Sequence, residues 1–254
     1  RQRPDGETWF DNSAERELLN DAVDCMQLPD VRTTHVLSSS DAASREMDGY
    51  AADYLKGSKV MVANEALSLH IVPARISSHK NNCMCGAVSY GMYGTELFSV
   101  PLRRRVIEEL QRRESFFRSE FGDEYDSLLA LALGEYKLGF EHAEVLATLL
   151  GRTIVIVAAD ANACKYGCGR DGMAHVAAPL GGARLVAGPI AIAWQSANRD
   201  HFCALTWVES RSGLPTWFVG ESISVPVRQY TPVPSVVALK NTIFAKMRAM
   251  QSAK

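Results

Sequence analysis

Lys80-Asn81-Asn82-Cys83-Met84-Cys85-Gly86-Ala87-Val88-Ser89-Tyr90-Gly91-Met92 changes character at one residue. Ahead of Cys83 the chain is polar, Ser77-Ser78-His79-Lys80-Asn81-Asn82. From Cys83 to Met92 it is small and apolar, the composition of a buried helix. Gly86 and Gly91 each cost about 1 kcal/mol against Ala in such a helix, so close packing has to offset them. The aliphatic run before the polar loop, Leu69 to Ile76, is mostly β-branched and carries Pro73, so it reads as a strand. Strand, polar loop and apolar helix together set Cys83 at a helix N-terminus. There the helix dipole favours a thiolate, and the amides of the loop can face an oxyanion. A thiolate nucleophile also needs a base. His201 follows the polar loop Ser196-Ala197-Asn198-Arg199-Asp200 and starts a strand, a position that presents an imidazole into a cleft.

Further along, Pro101 opens a helix with Leu102, Val106, Ile107 and Leu110 on one face and Arg104, Arg105, Glu108 and Arg112 opposite. Arg103-Arg104-Arg105, with Glu108 and Glu109 one turn on, reads as a solvated face laced with ion pairs. Glu141 to Leu150 is the next helix, closed by Gly151. Thr153 to Val157 follows as a buried central strand. Ala158 to Gly188 reads as a long excursion with short irregular strands. Pro189 to Trp194, His201 to Val208 and Trp217 to Val225 are three more strands. Helices are expected at Ser13 to Met26, Ser44 to Leu55 and Val236 to Met250. A helix-rich first half and a sheet-rich second half make an α+β domain. Residues 1–60 read as a helical extension packed on a core formed by 61–254, in one continuous domain.

The 254 residues, 47% hydrophobic and 22% charged, fit one large soluble domain or two small ones. Lys plus Arg number 27 and Asp plus Glu 29, a net charge of -2, which argues against a general nucleic-acid binder. The longest apolar stretch, Ile190 to Trp194, is far short of the roughly 18–20 residues that cross a bilayer. No basic start leads into an apolar core at Arg1, so no secretory leader is expected. The six cysteines then read as free thiols in a reducing compartment, cytoplasmic or nuclear. Cys164-x-x-x-Cys168 with His175 has no evident fourth zinc ligand, so the pair reads as loop thiols and no metal is expected.

The residues around Cys83 resemble a known family. Asn82-Cys83-Met84-Cys85-Gly86-Ala87-Val88, continuing to Tyr93-Gly94, is similar to the cysteine box of the ovarian-tumour (OTU) deubiquitinases. Leu102-Arg103 with Val106-Ile107 resembles that family's Leu-Arg-x-x-(Val/Ile) helix. Leu138-Gly139-Phe140-Glu141-His142-Ala143 followed by Arg152-Thr153-Ile154-Val155-Ile156 resembles its helix-and-strand block. Pro189-Ile190-Ala191-Ile192 with His201-Phe202-Cys203-Ala204-Leu205 resembles its histidine strand. Gly94-Thr95-Glu96-Leu97-Phe98 and the His201-Phe202 pair are similar to the branch with the valosin-containing-protein-interacting deubiquitinase. The likeness spans roughly Leu69 to Val208.

The resemblance implies a papain-like α+β fold, a small central sheet flanked by helices. It implies hydrolysis of the isopeptide bond between the ubiquitin C-terminal Gly and a Lys amine, with ubiquitin or polyubiquitin as partner and no cofactor. Cys83 takes the place of the nucleophile and His201 that of the base. Cys85 takes the place of an aromatic residue and reads as a packing thiol. Lys80, Asn81 and Asn82 take the place of the oxyanion loop. The family usually has Asp-Gly-Asn-Cys there, so Lys80 replaces an acid and Asn81 a flexible Gly. Many relatives carry Asp or Asn two residues after the His, where this chain has Cys203. In the branch named, an Asp on an upstream helix serves, which points to Asp53; Asp48, Asp200 and Asn198 are its rivals. The departures leave two other readings open, an OTU-like module that holds ubiquitin without cleaving it, and a protease for another modifier or a polyprotein.

Overall fold

The expected helix after Asn82 is α1 (Cys83–Tyr93), and every one of its residues is buried. It lies against a sheet so closely that a Cβ on Gly91 would stand 3.2 Å from Ile190 Cγ2. That approach is what a glycine in mid-helix makes possible. The structure is a computed structural model that describes residues 28–37, 71–74, 76, 81–158, 174–194, 201–208, 216–219 and 223–226.

The sheet is mixed and six-stranded: β1 (Val36–Leu37), β2 (Ile71–Ala74), β3 (Ile154–Ala158), β4 (Ala174–Ala177), β5 (Ile190–Trp194) and β6 (Phe202–Val208). β3 lies between β4, antiparallel to it, and β5, parallel to it. Its uninterrupted Ile-Val-Ile-Val run is buried, as a central strand requires. β6 runs antiparallel to β5, with Trp194 opposite Phe202. β2 pairs antiparallel with β6 from Ala204 to Trp207, on the edge away from β5. Pro73 fits there because an edge strand has a side that needs no ladder donor. β1 pairs parallel with Trp207 and Val208, on the side that β5 vacates.

Among the described residues four more α-helices follow α1: α2 (Ser99–Arg112), α3 (Glu114–Phe121), α4 (Tyr125–Leu133) and α5 (Phe140–Leu150). α1 packs on β5, β6 and α2, while α5 packs on α2, β3 and β4. Gly151 ends α5 with φ 60°, the left-handed cap expected of it. An unbroken core joins these elements, from Met84 and Val88 through Leu102, Val106 and Leu146 to Val155 and Ile192.

Two expectations about elements differ from the structure. α3 and α4 were not expected; each is short, 8 and 9 residues, and Gly122 between them interrupts the apolar period. The single strand expected over Trp217 to Val225 is a hairpin, β7 (Thr216–Val219) with β8 (Ile223–Pro226), flanking Gly220-Glu221-Ser222. Residues 28–37, between the two helices expected in the 1–60 extension, supply β1 to the sheet. Buried Arg152 holds that segment, donating to Val31 O at 3.1 Å, Thr33 O at 2.6 Å and Thr34 Oγ1 at 2.8 Å. The helices expected at Ser13–Met26, Ser44–Leu55 and Val236–Met250 lie outside the described residues.

Candidate active site

Cys83 is the first residue of α1 and only 3% exposed. The Asn82 carbonyl accepts the first helical bond, from Gly86 N–H at 2.7 Å. No acidic side chain sits in the first turn, so nothing there offsets the positive end of the helix dipole at the Cys83 thiol. Cys85 is fully buried, and its thiol is pushed up to about 12, mainly by burial. The neighbouring Cys83 adds to that rise and the Arg103 guanidinium opposes it. At neutral pH Cys85 is a protonated core thiol.

The turn before Cys83 has an unusual backbone. Asn81 has φ 56°, in the left-handed region, where Asn is among the few non-glycine residues tolerated. Asn81 therefore makes this turn without a glycine. The Asn81 side chain Nδ2–H donates to Glu135 O at 3.0 Å. Glu135 has φ 54°, and these two are the non-glycine residues with positive φ among the described residues.

Arg103 corrects the reading of the triple arginine as a solvated face. Arg104 and Arg105 are exposed, and Arg105 pairs with Glu108 at 3.3 Å. Arg103 is 4% exposed. Its Nε donates to Ala132 O at 2.9 Å, and its Nη2 to Leu131 O at 2.9 Å and Tyr136 O at 2.6 Å. Its Nη1 reaches Asn82 Oδ1 at 3.0 Å and Asn81 O at 3.5 Å. Helical spacing carried the signal: Val106, Ile107 and Leu110 lie three, four and seven residues on, so Arg103 shares their apolar face.

His201 is half-buried and stands immediately before β6. Two close approaches set the direction of α1 across the sheet. A Cβ on Gly86 would fall 2.9 Å from Ile76, two residues beyond the end of β2 that lies opposite Ala204. Gly91 meets Ile190, at the opposite end of β5 from Trp194. α1 thus runs parallel to β6 and antiparallel to β5, and its N-terminus with Cys83 lies at the sheet end where His201 enters.

Phe140, the first residue of α5, lines that end. Its ring lies 5.6 Å from that of Trp194, 6.3 Å from that of Phe202 and 5.2 Å from that of His175. His175 Nε2 is 3.7 Å from Glu144 Oε1; burial lowers the imidazole pKa and raises that of the carboxyl. Among the described residues no cluster of three or more His, Cys, Asp or Glu is arranged to hold a metal ion. Cys203 is buried within β6. Lys80, Asp53, Asp48, Asp200, Asn198, Cys164 and Cys168 lie outside the described residues. No helix among the described residues is long and apolar enough to cross a membrane.

No protein-family model matches the chain, and no curated protein sequence matches it. Among solved structures it is similar to the OTUD1 OTU domain, with TM-score 0.44 and 19% identity, covering 61% of this chain and 95% of that one. It is also similar to the viral OTU domain protease from Dera Ghazi Khan virus, with TM-score 0.39 and 15% identity over 55% of this chain and 83% of the other. The corresponding protease from Qalyub virus gives TM-score 0.37 and 16% identity over 54% and 85%.

Proposed function

We propose that the chain is a cysteine-type deubiquitinase of the ovarian-tumour kind, nearest the branch with the valosin-containing-protein-interacting enzyme. The observation that supports this reading is that two elements start at the same end of the sheet. One is the N-terminus of a buried helix that begins with Cys83; the other is the strand that begins after His201. Four sequence blocks resembling that family, in order, support the same reading. The protonated state of Cys85 leaves Cys83 as the thiol suited to attack.

In this mechanism His201 takes the Cys83 thiol proton, and the thiolate sulfur adds to the isopeptide carbonyl carbon. Backbone amides of the 80–83 turn hold the oxygen that becomes negative. The tetrahedral species collapses, the C–N bond breaks and the His201 imidazolium protonates the leaving Lys amine. Water, deprotonated by His201, then cleaves the thioester, releasing the ubiquitin carboxylate and restoring the thiol. Asp53 is the proposed partner that holds the imidazole tautomer. Ubiquitin or a polyubiquitin chain is the proposed substrate, and the chemistry calls for no cofactor.

A ubiquitin carrying a C-terminal electrophile tests the reading. Wild type and Cys85→Ala are expected to become covalently labelled and Cys83→Ala is not. Labelling that survives Cys83→Ala overturns the assignment of the nucleophile. His201→Ala is expected to lower turnover roughly 10³-fold or more while ubiquitin affinity stays near that of wild type. The Lys80 substitution favours one second reading, a module that holds ubiquitin uncleaved. Its signature is tight ubiquitin binding by a wild-type chain that no such probe labels.

A further inference from the structure

We propose that Arg103 is a positioning residue for the reaction at Cys83. Its guanidinium ties the Asn81–Asn82 turn to the Leu131–Tyr136 corner and so holds the turn's amides where the oxyanion develops. This inference deepens the deubiquitinase reading and rests on it.

Three observations converge on Arg103. Its buried fork reaches both sides of one joint, taking three carbonyls on the corner and, on the turn, the Asn82 side chain and the Asn81 carbonyl. The corner answers with the Glu135 carbonyl, which accepts from Asn81 Nδ2–H. The two left-handed non-glycine residues among the described residues, Asn81 and Glu135, face each other across this joint. Such conformations persist only where the surroundings over-determine them, and they gather at functional sites. Lysine does not replace such a fork, because its ammonium lacks the planar set of donors that meets acceptors on separate segments at once. The charge of Arg103 also acts on the Cys83 and Cys85 thiols, in the direction that favours a thiolate.

The test compares the full chain with Arg103→Lys and Arg103→Met. Three quantities are measured: kcat and KM on ubiquitin with a C-terminal fluorogenic amide, the rate of Cys83 alkylation by iodoacetamide, and amide hydrogen exchange across 81–83. Alkylation is a displacement at a saturated carbon and develops no oxyanion, so it reports the thiol without the turn's donors. In both variants kcat is expected to fall about 100-fold, the scale of one lost oxyanion donor, with KM within about threefold. In Arg103→Lys alkylation stays within about twofold of wild type, and exchange across 81–83 accelerates. Near-normal kcat in Arg103→Lys overturns the proposal. So does a parallel loss of hydrolysis and alkylation, which means general collapse. If Arg103→Met does not fold, Asn82→Ala, which removes the shortest bond to the turn, carries the same comparison. A wild-type chain that alkylates at Cys83 but does not hydrolyse the ubiquitin amide sinks the deubiquitinase reading. Exchange at 81–83 then decides separately whether Arg103 holds the turn, and unchanged exchange in Arg103→Lys overturns that as well.

Discussion

Cys83 and Cys85 are two residues apart on one helix, yet their surroundings separate their chemistry. Cys83 is at the positive end of the helix dipole, while Cys85 points into a core that keeps it protonated. The turn between the polar loop and Cys83 depends on Asn81 occupying the left-handed region. Asn81→Gly removes that strain and forfeits the bond to Glu135, changes of similar size, so stability is expected to stay within about 1 kcal/mol. Asn81→Val places a β-branched residue at positive φ and is expected to cost about 2 kcal/mol or more. Chemical denaturation measures both, and hydrolysis of a fluorogenic ubiquitin amide is expected to survive in the Gly variant and fall sharply in the Val variant. Cys83 was legible as a site residue because composition switches at it. Arg103 was masked by the two exposed arginines that follow it, although its spacing to Val106 and Leu110 placed it on the apolar face.

At the scale of elements, the start of α5 is anchored by a histidine outside the proposed chemistry. His142 is fully buried; its Nδ1 accepts from Gly139 N–H at 3.0 Å, which leaves Nε2–H to donate to Leu128 O at 3.0 Å. The ring is therefore neutral when folded, and burial holds its pKa below the ordinary 6.5. As pH falls through that value, the unfolded chain takes up the proton first. Stability is thus intact above about 6.5 and declines below it. His175 on β4 shifts in the same direction for the same reason. Urea denaturation between pH 7.5 and 5 is expected to show this decline. His142→Gln is expected to make it shallower, by at most about 1.4 kcal/mol per pH unit; an unchanged slope contradicts the buried neutral ring. α1 was visible by its small apolar composition, β3 by its β-branched run, and α2, α5, β5 and β6 by their apolar segments and boundaries. α3 and α4 were not, because Gly122 splits their pattern and few of their residues are buried.

Across the whole molecule, Arg152 joins distant parts of the chain. Its guanidinium donates to Gly188 O at 2.7 Å and to acceptors on residues 31–34, which lie 118 to 121 positions earlier. Tyr93 OH donates to Pro29 O at 3.1 Å, and His35 N–H to Gly91 O at 2.9 Å, fastening the same segment to the end of α1. Arg152→Met leaves several buried acceptors without a donor and is expected to cost about 2–4 kcal/mol. For a domain of this size that is roughly 5–15 °C in Tm, read by calorimetry. The variant is also expected to be cut by trypsin at Arg32 faster than wild type, since the 28–37 segment loses its anchor. Unchanged cleavage at Arg32 contradicts the anchoring role.

Taken alone, the sequence determined the α+β class, the strand–loop–helix unit around Cys83 and the strand that follows His201. Those features depend on local periodicity, capping and turn chemistry, which a few neighbouring residues carry. Only the tertiary structure decided that Arg103 is buried, that Asn81 is left-handed, that β1 completes the sheet and that Cys83 and His201 share one end of it. Each of these depends on partners far along the chain, and whether a charge or a strained turn is satisfied is settled only when those distant surfaces meet.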